Sequence, residues 1–394
     1  MKPLLHALLP RPAHPTRDGG AIRMHFLLAA LAREFRVLAL VLRSPEGPAG
    51  EYPAGVEVRE IAHSRGALRR ATAAARSLAG QEAYSGLLYG SAELARRAAE
   101  AVLRERPAWV VALSYHLGAL AARQGPASWV DFQNVDSEIW TRIGQTASTA
   151  PTRWFARGQA PRVRSLERRV LAAARGVSCV SERDARTLAA LSPGARPLVV
   201  RNGVDLSRFR FRAEPAAGKI LFFVGDLSWP PNAEGIRWFR RRVWPLVRQR
   251  QPEARAEVLG RGAPADRHGA GEGGFRFLGE GSDTRPYWER AAVAVVPLLA
   301  GGGTRLKILE AAACGVPVVS TPVGAEGLEL EPEVEIAIAE EPAAFAEAAA
   351  RLLADPEARR RQAAAARRKV EALYDWGPIG AAFARELGRR SAAA

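Results

Sequence analysis

Val296-Pro297-Leu298-Leu299-Ala300-Gly301-Gly302-Gly303-Thr304-Arg305-Leu306-Lys307-Ile308-Leu309-Glu310-Ala311-Ala312-Ala313-Cys314-Gly315-Val316-Pro317-Val318-Val319-Ser320-Thr321 is the stretch on which the fold turns. An apolar strand ends at Val296, three glycines follow, a helix is predicted over 306–313, and a second apolar run covers 317–320. Strand, Gly-rich turn, helix and strand in that order make a βαβ unit with parallel strands. Glycines at such a turn let the backbone approach a ligand closely, and the free amide N–H groups and positive helix end attract an anion. Arg305 and Lys307 add two cations in the first turn, where they could clamp a diphosphate whose charge grows as it departs. Glu310 follows about one turn later, a spacing that can set a carboxylate beside ribose hydroxyls. The competing reading is a Gly-rich turn with surface cations.

The same alternation extends in both directions. Strands are predicted at 220–224, 256–259, 275–278 and 293–296, with a helix over 233–250, a helix over 342–354 and an Arg/Ala-rich segment after Asp355. In the first half, strands are predicted at 4–9, 37–42, 109–113, 129–132, 177–180 and 198–200, with helices over 91–106 and from Ser181. Short apolar runs separated by helical segments predict parallel, doubly wound sheets. At 394 residues two such domains are expected. The polar stretch 208–218 lacks periodicity, which divides the chain into 1–205, a linker at 206–218, a second domain at 219–375 and a helix at 376–394 that could cross back to the first.

Composition narrows the class. Hydrophobic residues make up 48% and charged residues 25%, which fits a folded globular chain and not disorder. Net charge is +16, and only Lys2, Lys219, Lys307 and Lys369 among the 57 basic residues are lysines. Such a field attracts nucleic acid, anionic headgroups or diphosphates, and a GC-rich genome produces the same arginine excess. Cys179 and Cys314 both fall in apolar segments, so no disulfide framework is expected. The apolar run at the N-terminus is too short for a signal sequence, and no stretch approaches the roughly 20 apolar residues of a spanning helix. A cytoplasmic protein is expected, with rest on the inner face of a membrane as a variant of that reading.

Read together, the 296–321 stretch, Pro322-Val323-Gly324-Ala325-Glu326-Gly327-Leu328, Phe223-Val224-Gly225-Asp226-Leu227-Ser228-Trp229-Pro230-Pro231-Asn232 and Arg201-Asn202-Gly203-Val204-Asp205 resemble family 4 (group 1) glycosyltransferases. The likeness is to the bacterial branch with a triple-glycine donor loop. It runs from about Val177 to Leu328 and more weakly to Trp376. It implies two Rossmann-like domains facing a cleft, the arrangement called GT-B. It also implies a nucleoside diphosphate sugar as co-substrate, no cofactor and no metal, and transfer with retention at the anomeric carbon. Glu310 then matches the second glutamate of the family's Glu, seven residues, Glu motif, the one that holds the ribose; Gly302 stands where the first would be. Asp226 and Asn232 stand where many members have an arginine and a lysine on the diphosphate, and Arg305 and Lys307 are the expected replacements. Gly225, Gly301, Gly302, Gly303 and Thr304 complete the expected donor loops. Gly279, in Leu278-Gly279-Glu280-Gly281, resembles the loop that meets the nucleobase, and reads equally as a plain turn.

In the first domain Asp18-Gly19-Gly20 precedes an apolar helical run from Ile22, so Gly19 and Gly20 are expected beside the donor phosphates. His116 follows the strand ending near Leu113 and matches a family histidine that contacts the donor sugar; it reads also as a half-buried histidine. With Arg305 and Lys307 it forms the expected catalytic set. Asp131, Asn134 and Asp136, in or after the next strand, are candidates for orienting an acceptor hydroxyl. Between Arg153 and Arg169 six arginines face one glutamate, interleaved with Trp154, Phe155 and Leu166. That pattern reads as a membrane-resting surface presenting a lipid-linked acceptor, or as a solvated helix face, the second favoured because Pro161 should interrupt the helix. The expected function is sugar transfer to a glycan or lipid-linked acceptor in cell-envelope or polysaccharide synthesis. The alternatives are small-molecule glycosylation, a nucleotide-sugar epimerase and a basic nucleic-acid binder; no nucleic-acid module is recognised, so no such partner is expected.

Overall fold

The computed structural model describes residues 2–14, 18–45, 50–125, 127–262, 272–281 and 283–392. The contacts separate two compact units, one of residues 1–144, 154–201 and 377–394 and the other of residues 145–153 and 202–376. In the first unit the strands are β1 (Leu4–Leu9), β2 (Arg36–Arg43), β3 (Val56–Ala62), β4 (Trp109–Ala112), β5 (Ser128–Phe132), β6 (Gly176–Cys179) and β7 (Leu198–Val199). They lie in the order β3-β2-β1-β4-β5-β6-β7. In the second unit they are β8 (Ile220–Val224), β9 (Arg255–Leu259), β10 (Phe275–Gly279), β11 (Val293–Val296), β12 (Val318–Ser320) and β13 (Ala337–Ile338), in the order β10-β9-β8-β11-β12-β13. Every strand pair within the two sheets is parallel.

Each sheet therefore starts in the middle, runs outward to one edge, returns and runs outward to the other. Where the order reverses, between β1 and β4 and between β8 and β11, the loops leaving the strands diverge and open a crevice at their carboxyl ends. The central strands are continuously buried, as a sheet covered by helices on both faces requires: Leu5 to Leu9, Trp109 to Ala112 and Val293 to Val296 are all enclosed.

One buried ion pair ties the first sheet together. Arg23, on the helix Gly19–Glu34, and Asp131 of β5 are about 1% and 0% exposed, and meet through two hydrogen bonds of 2.7 Å. Arg23 also donates to the carbonyl of Val200 at 2.8 Å, and Ser178 of β6 donates to Asp131 at 2.6 Å. One guanidinium thus joins the helix to β5 and to the chain just past β7, with β6 drawn in through Asp131, and the pairing offsets the cost of enclosing both charges.

Several expectations change. The strand β3 and the helix Ala67–Ala79 were not legible, because β3 (Val56-Glu57-Val58-Arg59-Glu60-Ile61-Ala62) is an edge strand with only Ile61 buried. Pro161 does not interrupt its helix, which runs unbroken over Ala150–Ala173. Proline removes one backbone bond, and the buried Ala156, Gln159, Val163 and Leu166 on either side hold the helix in place. The stretch 206–218 is no free linker: Phe209 is buried, and Arg212 donates its backbone N–H to Cys314 and its guanidinium to the carbonyls of Glu289 and Ala291. The helix predicted over 233–250 begins at Pro230 and contains a wider π turn over Phe239–Val243. The last helix, Trp376–Ala392, packs on the first unit, with Trp109 donating to the Leu387 carbonyl at 3.0 Å and Phe383 against Trp129. Residues 393 and 394 lie outside the described residues.

Candidate functional site

In the second unit the glycine loop leaves β11 and enters the helix Leu306–Ala313. Gly301 and Gly303 have φ of 141° and 64°, backbone that side chains with a Cβ rarely adopt. The loop is stiffened from within. Arg305 turns its guanidinium back onto the carbonyls of Gly302 and Gly303, the second at 3.0 Å, and Asn202 donates to the Thr304 hydroxyl at 2.8 Å. No side chain caps the helix, so its first amide groups point out of the turn without a side-chain acceptor.

Lys307 reaches across the strand-order reversal to the end of β8. Its ammonium donates to Asn232 Oδ1 at 3.2 Å and lies 3.9 Å from the centre of the Phe223 ring. Asn232 is itself fixed by a 2.8 Å bond to the Asp226 carbonyl. A Cβ on Gly225 would come within 2.8 Å of Nζ, so the glycine there makes room for the lysine. Burial, and then the nearby Arg305, push the Lys307 ammonium down to about 7, while Glu310 opposes the shift. Asp226 is turned away from this spot: its carboxylate pairs with Arg261 and accepts from Ser228.

Glu310, two turns into the structure that starts at the glycine loop, accepts from Trp288 Nε1 at 3.2 Å and Thr284 Oγ1 at 3.3 Å, both on Oε2. Burial raises its carboxyl above the usual range, and the two donors hold it back. Gly279 closes β10 with φ of 79°, and a Cβ there would meet open space, so backbone conformation and not crowding selects glycine.

In the first unit the loop after β1 meets the loop after β4. Asp18 caps the helix Gly19–Glu34 by accepting from Ala21 N at 3.1 Å, and Arg11 forms a two-pronged pair with the same carboxylate. A Cβ on Gly20 would sit 2.6 Å from Gln133 Oε1, the movable end of that side chain; Gly19 is exposed at the helix start. His116 bonds Ser114 Oγ through Nδ1 at 2.7 Å, lies 3.6 Å from Asp136 through Nε2, and packs against the rings of Tyr115 and Tyr89. Burial, then the Arg11 charge, drop His116 to about 3, so it is neutral at physiological pH. Asp136 is pushed up to about 6 by burial, against hydrogen bonds from Tyr115, at 2.9 Å, and Asn134. Behind it the enclosed Glu167 accepts from Ser137 N at 3.1 Å and is raised to about 7 by burial.

The structure thus groups Gly225, Gly301, Gly302, Gly303, Thr304, Arg305 and Lys307 at one reversal point, and Gly20, His116, Asn134 and Asp136 at the other. Asp131 departs from its expected place beside an acceptor: it is fully enclosed, with both oxygens engaged by Arg23, and it serves the sheet. Arg305 spends part of its guanidinium on its own loop. Asp18, in the Asp18-Gly19-Gly20 turn, carried a readable signal as an N-cap, whereas Arg11, Trp288 and Thr284, which the sequence did not single out, reach their places through tertiary folding alone.

Residues 218–355 match the family described as Glycosyl transferases group 1. That match lies wholly within the second unit. A glycogen synthase of Mycobacterium tuberculosis is 28% identical over 221 residues, 53% of this chain and 52% of that one. The chain spans about half the length, or less, of the curated relatives it matches. Among solved structures, a sucrose-phosphate synthase from Thermosynechococcus elongatus superposes with a TM-score of 0.76 at 19% identity, covering 100% of both chains. Anabaena Alr3699/HepE in complex with UDP and glucose does so with a TM-score of 0.66 at 14% identity, covering 98% of this chain and 100% of that one. The likeness to these solved structures shows the fold: the chain carries the two α/β units of the GT-B fold.

Proposed function

We propose that the chain transfers a sugar from a nucleoside diphosphate sugar to an acceptor hydroxyl, with retention at the anomeric carbon and without a metal. One observation carries the reading. The family's usual cations are replaced by Asp226 and Asn232, and the Lys307 ammonium is bonded to Asn232, so a cation stands at the place the substitution vacated. Beside it are the uncapped start of the helix Leu306–Ala313 and a glycine loop open to close approach. A diphosphate bound there meets a positive helix end and an ammonium that cost no rearrangement as charge develops on the leaving oxygen.

The other residues take roles that fit their chemistry. Glu310, held by Trp288 and Thr284 on one oxygen, presents its carboxylate to the ribose hydroxyls. His116 is neutral and can both donate to and accept from a sugar hydroxyl. Asn134 and Asp136 orient the acceptor, and the departing phosphate takes the acceptor proton. A glycan or lipid-linked acceptor of the cell envelope is favoured, with small-molecule glycosylation the alternative. UDP is the first nucleotide to try, since the HepE structure holds it.

Thermal unfolding with UDP, GDP, ADP and CDP, each without metal and with EDTA, tests the donor site. Stabilisation by one nucleotide that persists in EDTA and is weakened in Glu310→Ala supports the reading. No stabilisation by any of them, with salt-sensitive binding to oligonucleotides instead, would overturn it. Retention is read from the anomeric configuration of the product.

A further inference from the structure

The helix Ala67–Ala79 is built the wrong way round for water. Its buried side is small, Ala73 and Ser77, whereas its outward face carries Leu68, Ala71, Thr72, Ala75, Leu78 and Ala79. Those positions follow one another at helical spacing, so they form a single stripe. Leu68 is 80% exposed and Leu78 43%. A solvent-facing helix surface ordinarily carries charge, and here the charge sits on the flanks, as exposed Arg70 and Arg76, with no acidic residue anywhere in the helix.

A second basic and apolar face adjoins it. Ser77 is hydrogen-bonded to Gln159 at 3.0 Å, and Arg162 donates to the Gly80 carbonyl at 3.1 Å, which fixes the end of this helix against the helix Ala150–Ala173. From Trp154 onward that helix exposes Trp154, at 65%, then Pro161, with Arg157, Arg164 and Arg168. An apolar stripe, an exposed tryptophan and flanking arginines are the components of a surface that lies in a bilayer interface.

From these observations we infer that the helix Ala67–Ala79, with the exposed face beginning at Trp154, docks the first unit on an anionic lipid bilayer. Leucines and the tryptophan enter the headgroup boundary while the arginines meet lipid phosphates. Charge decides among the occupants. A second copy laid on the same face would bring like-charged arginine flanks together, which costs energy, and a nucleic acid would leave the stripe of Leu68 and Leu78 in water. The inference does not rest on the transfer reading, since bilayer binding is measured without donor or acceptor.

The full chain is floated with vesicles of pure phosphatidylcholine and with vesicles of phosphatidylcholine and phosphatidylglycerol in equal parts. Binding is expected to the anionic vesicles alone and to weaken with salt. Arg70→Glu with Arg76→Glu should reduce it about fivefold or more for each arginine lost from the surface. Leu68→Asp with Leu78→Asp should reduce it at least as far; Leu68→Asp alone, at the most exposed position, serves if the pair perturbs folding. UDP-induced thermal stabilisation should be unchanged in all of these variants, which separates failure of docking from failure of the donor site. Absence of binding to anionic vesicles at low salt, or binding indifferent to the leucine changes, overturns the inference. So does a dimer by light scattering that Leu68→Asp dissociates, or oligonucleotide binding that the arginine changes abolish while vesicles are ignored.

Discussion

The two sheets follow the same strand order around their reversal points, β2-β1-β4-β5 in one and β9-β8-β11-β12 in the other, yet the chemistry at those points is opposite. Beyond β8 and β11 stand a half-buried ammonium, an uncapped helix start and a glycine, Gly225, that lies against the ammonium. Beyond β1 and β4 the corresponding helix start is already occupied by Asp18, which is neutralised by Arg11, and the neighbouring groups are a neutral histidine and carboxyls raised by burial. The second site is prepared for an anion. The first has answered its own helix end and keeps a neutral histidine beside carboxyls that lose their protons only near pH 6 and 7, a set that suits hydroxyls better than a further anion. The scaffold sets where a ligand goes, and the local side chains set its charge.

Removing Lys307 should break this contrast most strongly. In Lys307→Ala the donor site keeps its glycines and helix end and loses the one cation placed at Asn232, so nucleotide affinity and turnover should fall by about 10²–10³. Calorimetric titration and initial rates read the two losses. The same variant should melt higher without nucleotide, because an ammonium held down to about 7 is one the fold stabilises poorly. A variant that binds nucleotide as the wild type does would place the diphosphate elsewhere.

The depressed lysine also makes binding depend on pH. With the free site titrating near 7, an arriving diphosphate raises the pKa, so binding takes up a proton at higher pH. Affinity should be level below pH 6 and fall by up to about tenfold per unit above pH 7, until the pKa of the complex is reached. Titrations at pH 8 in buffers of different ionisation enthalpy should register the proton. A flat profile from 6 to 9 would mean that Lys307 is charged throughout.

How far each site could be read from the chain follows from the same contrast. The anion site is local: strand, glycines, Arg305, Lys307 and Glu310 fall within one βαβ unit, and the periodicity that defines the helix also places its polar residues. The first site is assembled from distant segments. Arg11, Asp18, His116, Gln133 and Asp136 meet only once β1, β4 and β5 lie side by side, and the strand predicted over 129–132 held Asp131 without showing that Arg23, far away in sequence, would engage both of its oxygens. Buried central strands announced themselves by continuous apolar runs. The half-exposed β3 and the inverted helix Ala67–Ala79 did not, since an edge strand lacks such a run and alanines carry little pattern.

At the first site the expected effects are smaller. His116→Ala removes neutral hydrogen bonds and no charge, so kcat/KM should fall by about tenfold to a hundredfold while nucleotide affinity barely moves. His116→Gln, which can still donate and accept, should recover part of the loss. If nucleotide affinity fell in step with turnover, the division between an anion site and a hydroxyl site would be wrong.

The smallest effect is on stability, and it isolates the acids behind His116. Glu167 and Asp136 hold protons in the folded chain up to about 7 and about 6, whereas in the unfolded chain they lose them near the ordinary carboxyl values. Between those limits the folded state binds more protons, so stability is present at low pH and lost as pH rises through 6 and 7. Glu167→Gln keeps an acceptor for Ser137 N and cannot ionise, so its melting temperature should match the wild type near pH 5 and exceed it by a few degrees at pH 8. Arg23 and Asp131, whose pairing is independent of this cluster, give the control: Arg23→Met should cost about 3–5 kcal/mol at both pH values, because it leaves Asp131 enclosed without its partner. A Glu167→Gln variant less stable than the wild type at pH 8 would mean that the carboxylate is ionised in the fold and is held there by groups other than those that meet it now.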